Sequence, residues 1–536
     1  MNHPDQITYR YPVSVQVLAG NVVDAENLLL QKELQSCDYE PNGTTVTGPC
    51  ALLLDFGQEL CGGLRIICEC ANKVGSQVRL VFGESVAEAM SDVEASSATN
   101  DHSARDFTAR TTMLSDVSYG QTGFRYVRVI FPEEAYQVKI IAMVAGAVTT
   151  GQPIVGSFCC SDPLINDIYN TAIRTVHLCL QNSYLWDGIK RDRVVWLGDM
   201  NPEIKALNTM YVDCPNVENS LEFVLRHTPE GGWINNIPAY STWWVINLRD
   251  YCFHTGNYQF IEQHFEEVRK IVLQFTRAAR KQWDFPEVAY TVMPWYLDWP
   301  TYDDSGDSRI GIFALLKLAI KAAEEMSHVI GQRIPELDEL ANSVPDCSYN
   351  GSFKQITALS AFAGDIPYEE AAKWIAKDGA KGFSTFQSYY MLKAMAEGGR
   401  LAEAVDCAKS YFGKMLEMGA TTFWEDFDIR WCEGATPLTE KKAEGKPHIH
   451  EDFGRHCYVG LRHSLCHGWA SGVAAFLVEY VLGVREVFDG TPTLQIPEAT
   501  GVPIAASGWV PTARGLLFVE RDATGKLVRV QEKTNC

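Results

Sequence analysis

GSFCCSDPLINDIYNTAIRTV, residues 156–176, is the stretch in which the chain changes period. Ser161-Asp162-Pro163 reads as a helix start: a capping hydroxyl, an early acid, and a proline where its missing N–H does no harm. Ile165, Ile168, Tyr169, Ala172, Ile173 and Val176 then recur at i, i+3, i+4 and i+7, the spacing of one buried helical face. Helical patterns continue at 203–211, 217–225, 242–254, 260–283, 310–328, 368–377, 384–397, 401–418 and 464–482. About a dozen helices without intervening strands predict antiparallel hairpins closed into an (α/α)6 toroid barrel over residues 156–483. A loose bundle or a solenoid is the alternative, although no fixed-period repeat runs through the region.

On either side the pattern is β. Before Ser157, short apolar segments (13–18, 50–56, 64–70, 77–82, 123–131 and 137–144) are divided by Gly and Asn, which predicts an antiparallel β-sandwich over residues 1–155. The polar run 86–103 reads as a long loop. After Gly483, segments at 494–496, 502–506, 508–510, 516–520 and 527–530 predict a small C-terminal β-sheet domain over 484–536, packed on the barrel because some fifty residues make a marginal core.

The chain has 536 residues, so two to four domains are expected. Its net charge of −21 argues against nucleic acid and anionic membrane surfaces as partners. No apolar run reaches the length of a membrane span. The N-terminus shows no basic region followed by an apolar one, so the expectation is a cytoplasmic protein, or a periplasmic one if a leader has been trimmed. The 16 cysteines form no CxxC pair, and reduced, mostly buried thiols are expected.

Chemistry concentrates in DGIKRDRVVWLGD, from Asp187 to Asp199. Asp187, Asp192 and Asp199 alternate there with Lys190, Arg191 and Arg193 around Trp196. Such mixed character suits the wall of a polar pocket, and it equally suits a buried ion-pair network at a helix start. Most tryptophans fall in the helical region, several beside acids: Trp186 with Asp187, Trp299 with Asp298, Trp424 with Glu425 and Asp426. Filling core is the ordinary role of such rings. As a set, aromatic faces beside carboxylates are what a sugar needs, one to stack on its C–H face and the other to accept from its hydroxyls. Glycoside hydrolysis requires two carboxyl groups flanking the scissile bond, and 187–199 and 424–428 could supply one each. His448, His450, Glu451, Asp452, His456, His463 and His467 follow. Their spacing is too loose for a recognisable metal site, so neither a metal nor a cofactor is expected.

These motifs together resemble the α-L-rhamnosidases of glycoside hydrolase family 78, in the six-hairpin glycosidase superfamily. The parts come in the same order: DFGQE (55–59), GFRYV (123–127), the 156–166 helix start, the 187–199 stretch, GATTFWEDFD (419–428), SLCHGWASG (464–472) and a final β segment. The resemblance implies an inverting glycosidase acting on terminal α-L-rhamnosides, with Asp192 as general acid and Glu425 as general base through a water. It also implies that Asp187, Arg191, Asp199 and His467 grip hydroxyls while Trp196, Trp244 and Trp299 form walls, and that the partner is a rhamnose-containing glycan or glycoside. The family acid is more often Glu, so Asp192 withdraws the proton by about 1.5 Å unless the backbone compensates. Gly188-Ile189 stands where the family carries a Cys-Pro pair, which marks a divergent branch. Another toroid carbohydrate enzyme, a different glycosidase or a lyase, and a non-catalytic sugar binder are the alternatives.

Overall fold

Seven antiparallel strands build the N-terminal part: β1 (Asp5–Arg10), β2 (Ser14–Val23), β3 (Thr44–Cys70), β4 (Gln77–Gly83), β5 (Asp106–Arg110), β6 (Leu114–Phe131) and β7 (Gln137–Thr150). A computed structural model describes them within residues 4–34, 42–71, 74–93, 95–132, 137–283, 293–456 and 458–534. They form one hydrogen-bonded sheet, in the order β1-β7-β3-β6-β4-β5 with β2 also on β3. The long strand β3 makes this work. Its start pairs Thr44 with Ile140 and Val46 with Val138, and its end pairs Cys68 with Ile140 and Cys70 with Val138. Strand β7 is thus bonded on both sides by the two ends of β3, and the sheet curls onto itself around one core that includes Leu52, Leu64, Phe82, Phe124, Val129 and Met143. The bend falls where the β3–β6 register shifts, between Asp55 and Leu60 and between Gly62 and Leu64. There the chains approach so closely that a Cβ on Gly63 would lie 2.3 Å from the Gly120 carbonyl oxygen.

The 86–103 run is not loop throughout. It opens with α1 (Val86–Met90), because Ser85 Oγ accepts from the Glu88 amide at 3.1 Å while the Glu88 carboxylate accepts from the Glu84 amide at 2.8 Å. This is a variant of the capping box.

The helices are α2 (Pro163–Cys179), α3 (Met200–Leu207), α4 (Pro215–His227), α5 (Pro238–Thr255), α6 (Tyr258–Arg280), α7 (Trp299–Tyr302), α8 (Ser305–Ile330), α9 (Leu337–Ser343), α10 (Lys354–Phe362), α11 (Tyr368–Ala376), α12 (Ser388–Glu397), α13 (Leu401–Glu417) and α14 (Val473–Phe476). At the start of α2 the cap is Asp162, not Ser161: its side chain accepts from the amides of Leu164 and Ile165. The last helical segment begins at Gly468, not Ser464, and combines 3-10, α and π turns as far as Leu482. Helices α3, α5, α8, α10 and α12 each pack on the next, α12 packs on α14, and α14 packs back on α3. Buried residues occupy all but three positions of α5, whereas α6 buries only one stripe, Phe260, Ile261, Phe265, Val268, Ile271, Val272 and Phe275. A helix apolar all round is enclosed, and an amphipathic one forms an outer layer.

Strands β9 (Leu180–Gln181) and β10 (Tyr184–Leu185) form a small hairpin after α2, and β11 (Arg485–Phe488) pairs β12 (Pro492–Gln495). The C-terminal sheet runs β15 (Leu527–Thr534), β14 (Gly515–Arg521), β13 (Ala506–Thr512) and then β8 (Cys159–Cys160). It is therefore completed by residues that immediately precede α2. The described cysteines are free thiols, Cys68 and Cys70 both in the curled-sheet core. Cys37, Cys457 and Cys536 lie outside the described residues. Among the described residues no helix is long and apolar enough to cross a membrane.

Candidate active site

The enclosed helices turn their N-terminal ends to one place. Asp199 immediately precedes α3, Tyr240 lies in the first turn of α5, Thr385 stands just before α12, and His467 precedes the last helical segment. Helix N-termini favour negative charge, which suits a site built from carboxylates. The 187–199 loop closes over this end. Asp187 Oδ1 accepts from the Val194 amide at 3.0 Å, and Asn235 clamps the loop by accepting from the Leu197 amide and donating to the Val195 carbonyl. Gly188 forms an antiparallel bridge with His467.

Segments 422–425 and 464–467 lie side by side beneath the loop. The His467 amide donates to Phe423 O at 2.9 Å, the Glu425 amide to Ser464 O at 3.0 Å, and the Ser464 amide to Glu425 Oε2 at 3.2 Å. This pairing keeps Ser464–His467 extended and explains why the helix starts late. Trp469 Nε1 and Thr385 Oγ1 both donate to the Glu425 carbonyl.

Asp192 and Glu425 meet through Arg191. One guanidinium nitrogen donates to Asp192 Oδ1 at 3.0 Å and the other to Glu425 Oε1, while the group lies 4.5 Å from the Tyr458 ring centroid. Asp192 Oδ2 accepts from Trp196 Nε1 at 3.2 Å. Asp192 and Arg193 both adopt left-handed backbone, φ 54° and 59°. That conformation costs about 1–2 kcal/mol per non-glycine residue. Such strain persists only where surrounding contacts impose it, and here the Arg191, Trp196 and Val194 bonds do so.

Asp187, Asp199 and Glu425 surround the His467 ring: Nε2 is 3.7 Å from oxygens of both aspartates and 3.4 Å from Glu425 Oε1. Burial, then the nearby Asp192 and Asp199, push the Asp187 carboxyl well above its usual range. Burial does the same to Asp199, opposed by the Tyr240 hydroxyl that donates to it at 3.0 Å. Glu425 is pushed up to about 7, chiefly by burial, against the pull of Arg191. Burial and Arg191 hold His467 well below its ordinary value. A neutral imidazole beside carboxyl groups that readily hold a proton can both donate to and accept from uncharged hydroxyls. Asp187, Asp199 and His467 are also close enough to share a cation, with Asp187 and Asp199 supplying oxygen and His467 nitrogen.

The structure therefore brings Asp187, Arg191, Asp192, Trp196, Asp199, Glu425 and His467 together. Trp299 stands one contact away, donating through Nε1 to the hydroxyl of Tyr458, under Arg191, at 2.5 Å. Trp244 is not in this group. It is fully buried, donates to Leu221 O and meets His264 edge-on, so it fills the layer between α5 and the helices outside it. A helix buried on every side gives no sequence sign of which face points inward, hence the misassignment. A cavity of about 1090 Å³ lies at the opposite ends of α3 and α5, lined by Lys205, Arg249, His254, Phe488 and Arg514 among others. None of the acids above lines it, so the chemistry is placed by the side-chain constellation and not by cavity size.

Several contributors carried no local signal. Lys190 Nζ is held by Glu84 at 2.9 Å and Glu88 at 3.2 Å, both from the N-terminal part, and donates to Leu461 O and His463 O. Glu84 also accepts from the Leu465 amide at 2.7 Å. Glu203, on α3, is fully buried with no hydrogen-bond partner for either oxygen among the described residues. Burial and the neighbouring Asp199 raise its carboxyl well above the usual range. It packs directly against Gly468, where a Cβ would fall 1.6 Å from Glu203 Oε1. Gly468→Ala is accordingly expected to destabilise the fold by about 1–3 kcal/mol through overpacking and to displace His467. Denaturant unfolding checks the first effect and kcat/KM the second.

Residues 153–333 match the family described as the bacterial alpha-L-rhamnosidase 6 hairpin glycosidase domain. No curated protein matches the chain. Among solved structures, a GH78 family rhamnosidase of Bacillus sp. GL1 superposes with a TM-score of 0.66 at 20% identity, covering 92% of this chain and 52% of that one. A rhamnosidase from Klebsiella oxytoca with rhamnose bound gives 0.65 at 18%, covering 89% and 96%. The Streptomyces avermitilis alpha-L-rhamnosidase complexed with L-rhamnose gives 0.68 at 16%, covering 97% and 48%. The chain thus spans about half the length of the Bacillus and Streptomyces proteins and nearly all of the Klebsiella one. The resemblance carried by the sequence motifs is thus matched over residues 153–333 by the family model, and the fold of most of the chain is similar to that of the solved rhamnosidases.

Proposed function

We propose that the chain is a glycoside hydrolase that removes terminal α-L-rhamnosyl residues with inversion, and that its closed succession of helices is an (α/α)6 toroid. The observation that carries this reading is the single guanidinium of Arg191 joining Asp192 to Glu425. Asp192 is assigned as the acid that protonates the departing oxygen, and Glu425 as the base that draws a proton from water. Asp187, Asp199, Arg191 and His467 are assigned to the sugar hydroxyls, and Trp196, with Trp299 further out, to the walls.

The assignment makes a pH prediction. Glu425 must be ionised to act as base, and burial lifts its carboxyl to about 7. Activity should therefore rise with pH through an acidic limb near 7. Hydrolysis of an aryl α-L-rhamnoside followed by proton NMR should show that limb and release the β-anomer first. Release of the α-anomer first would reject inversion, an unsaturated product absorbing in the ultraviolet would indicate a lyase, and turnover of other aryl glycosides only would reject rhamnose.

A further inference from the structure

Asp192 has one neighbour from outside the helical region. His102, at the end of the loop that follows α1, places Nδ1 3.1 Å from Asp192 Oδ1. The ring is 30% exposed and the Asp192 side chain 19%, so His102 is the more solvent-facing of the two. The other charged groups around the ring are Asp101, whose Oδ2 lies 3.6 Å from Nε2 and is itself paired with Arg462 at 2.7 Å, and Arg191 across Asp192. The loop is anchored at the site: Ser103 Oγ donates to Lys190 O at 2.9 Å and Ser97 Oγ accepts from the Leu461 amide at 2.7 Å. An acid that gives up a proton once per turnover must regain it, and the other side-chain partners of Asp192 among the described residues, Arg191 and Trp196, are groups that do not exchange protons at ordinary pH.

We propose that His102, supplied by the N-terminal sheet region, is a positioning residue that holds and recharges Asp192. The inference rests on Asp192 being the general acid. As the glycosidic C–O bond breaks, Asp192 passes its proton to the leaving oxygen and becomes a carboxylate. The imidazolium of His102 then gives its Nδ1 proton to Oδ1, becomes neutral, and takes a proton from solvent at its exposed edge. The proton that Glu425 removes from water returns to solvent, so the cycle balances.

His102 has left-handed backbone, φ 68°, so glycine fits the position without strain. In His102→Gly, kcat on an alkyl α-L-rhamnoside should fall about 10²-fold, the lower end of what proton transfer contributes. A dinitrophenyl rhamnoside, whose leaving group needs no proton, should change less than about twofold, with KM unchanged on both. Added imidazole should restore the lost turnover. His102→Gln should repeat the loss without rescue. If both variants turn over the alkyl substrate like the parent while Asp192→Asn is impaired, the inference is overturned and the proposed function stands. If Asp192→Asn also behaves like the parent, both fall together.

Discussion

Glu425→Gln is expected to lower kcat on an aryl α-L-rhamnoside by about 10²–10⁴-fold, the contribution of a positioned general base. Glutamine keeps the shape, and its single carbonyl oxygen can still accept from Arg191, while its NH2 replaces the oxygen that accepts from the Ser464 amide. It cannot take a proton from water, so the loss should appear in kcat with KM little changed, and the acidic limb near pH 7 should vanish with the carboxyl group that causes it. Asp192→Asn is expected to be equally damaging on alkyl rhamnosides and milder on activated aryl ones, because only the acid's share depends on the leaving group. Steady-state kinetics on the two substrate classes separate these roles. Parental turnover by both variants would remove the acid–base assignment.

Lys190→Met carries the largest expected effect on stability, about 3–5 kcal/mol, the usual result of removing one member of a buried ion pair. Lys190 is the cation between Glu84 and Glu88, all three buried, and methionine would leave Glu84 without a counter-charge and Glu88 with Arg105 alone, 3.7 Å away. The loss should depend on pH. Burial raises the Glu84 carboxyl from 4.5 to about 7, opposed by Lys190. A carboxyl whose folded value lies above its unfolded one stabilises the fold below about 4.5, and that contribution is lost as pH rises through about 7. Without Lys190 the rise is larger, so denaturant unfolding should show a greater deficit at pH 8 than at pH 5. An equal deficit at both would mean that lost packing of the lysine stem, and not its charge, sets the cost.

The helical region was legible because its signals are local. Ile165, Ile168, Tyr169, Ala172 and Val176 announced one buried stripe of α2, and the structure buries them. The acids of 187–199 stood out because a run of charges enclosing Val194, Val195, Trp196 and Leu197 fits neither surface nor ordinary core. What stayed hidden depends on partners far away in the chain. Strand β3 read as two short strands because a bend leaves the same apolar alternation on either side of it. Ser464–His467 read as helix because a strand partner 40 residues earlier cannot be seen from within it. His102 looked like a polar loop residue, and Glu88 like part of the same loop, until the fold set them against Asp192 and Lys190. Trp244 failed in the opposite sense: sequence neighbours suggested a wall, and packing made it core.

The anchoring of the 187–199 loop by Glu84, Glu88 and Ser103 has a consequence for how this architecture can be cut and recombined. The helical body supplies the acids, yet the ties that fix Lys190, and through it the backbone beside Arg191 and Asp192, come from the curled sheet. The sheet region thus behaves as part of the machine tool's frame, not as an attachment. A helical body transplanted into another protein without it would bring the reactive groups along and leave the jig that aligns them behind.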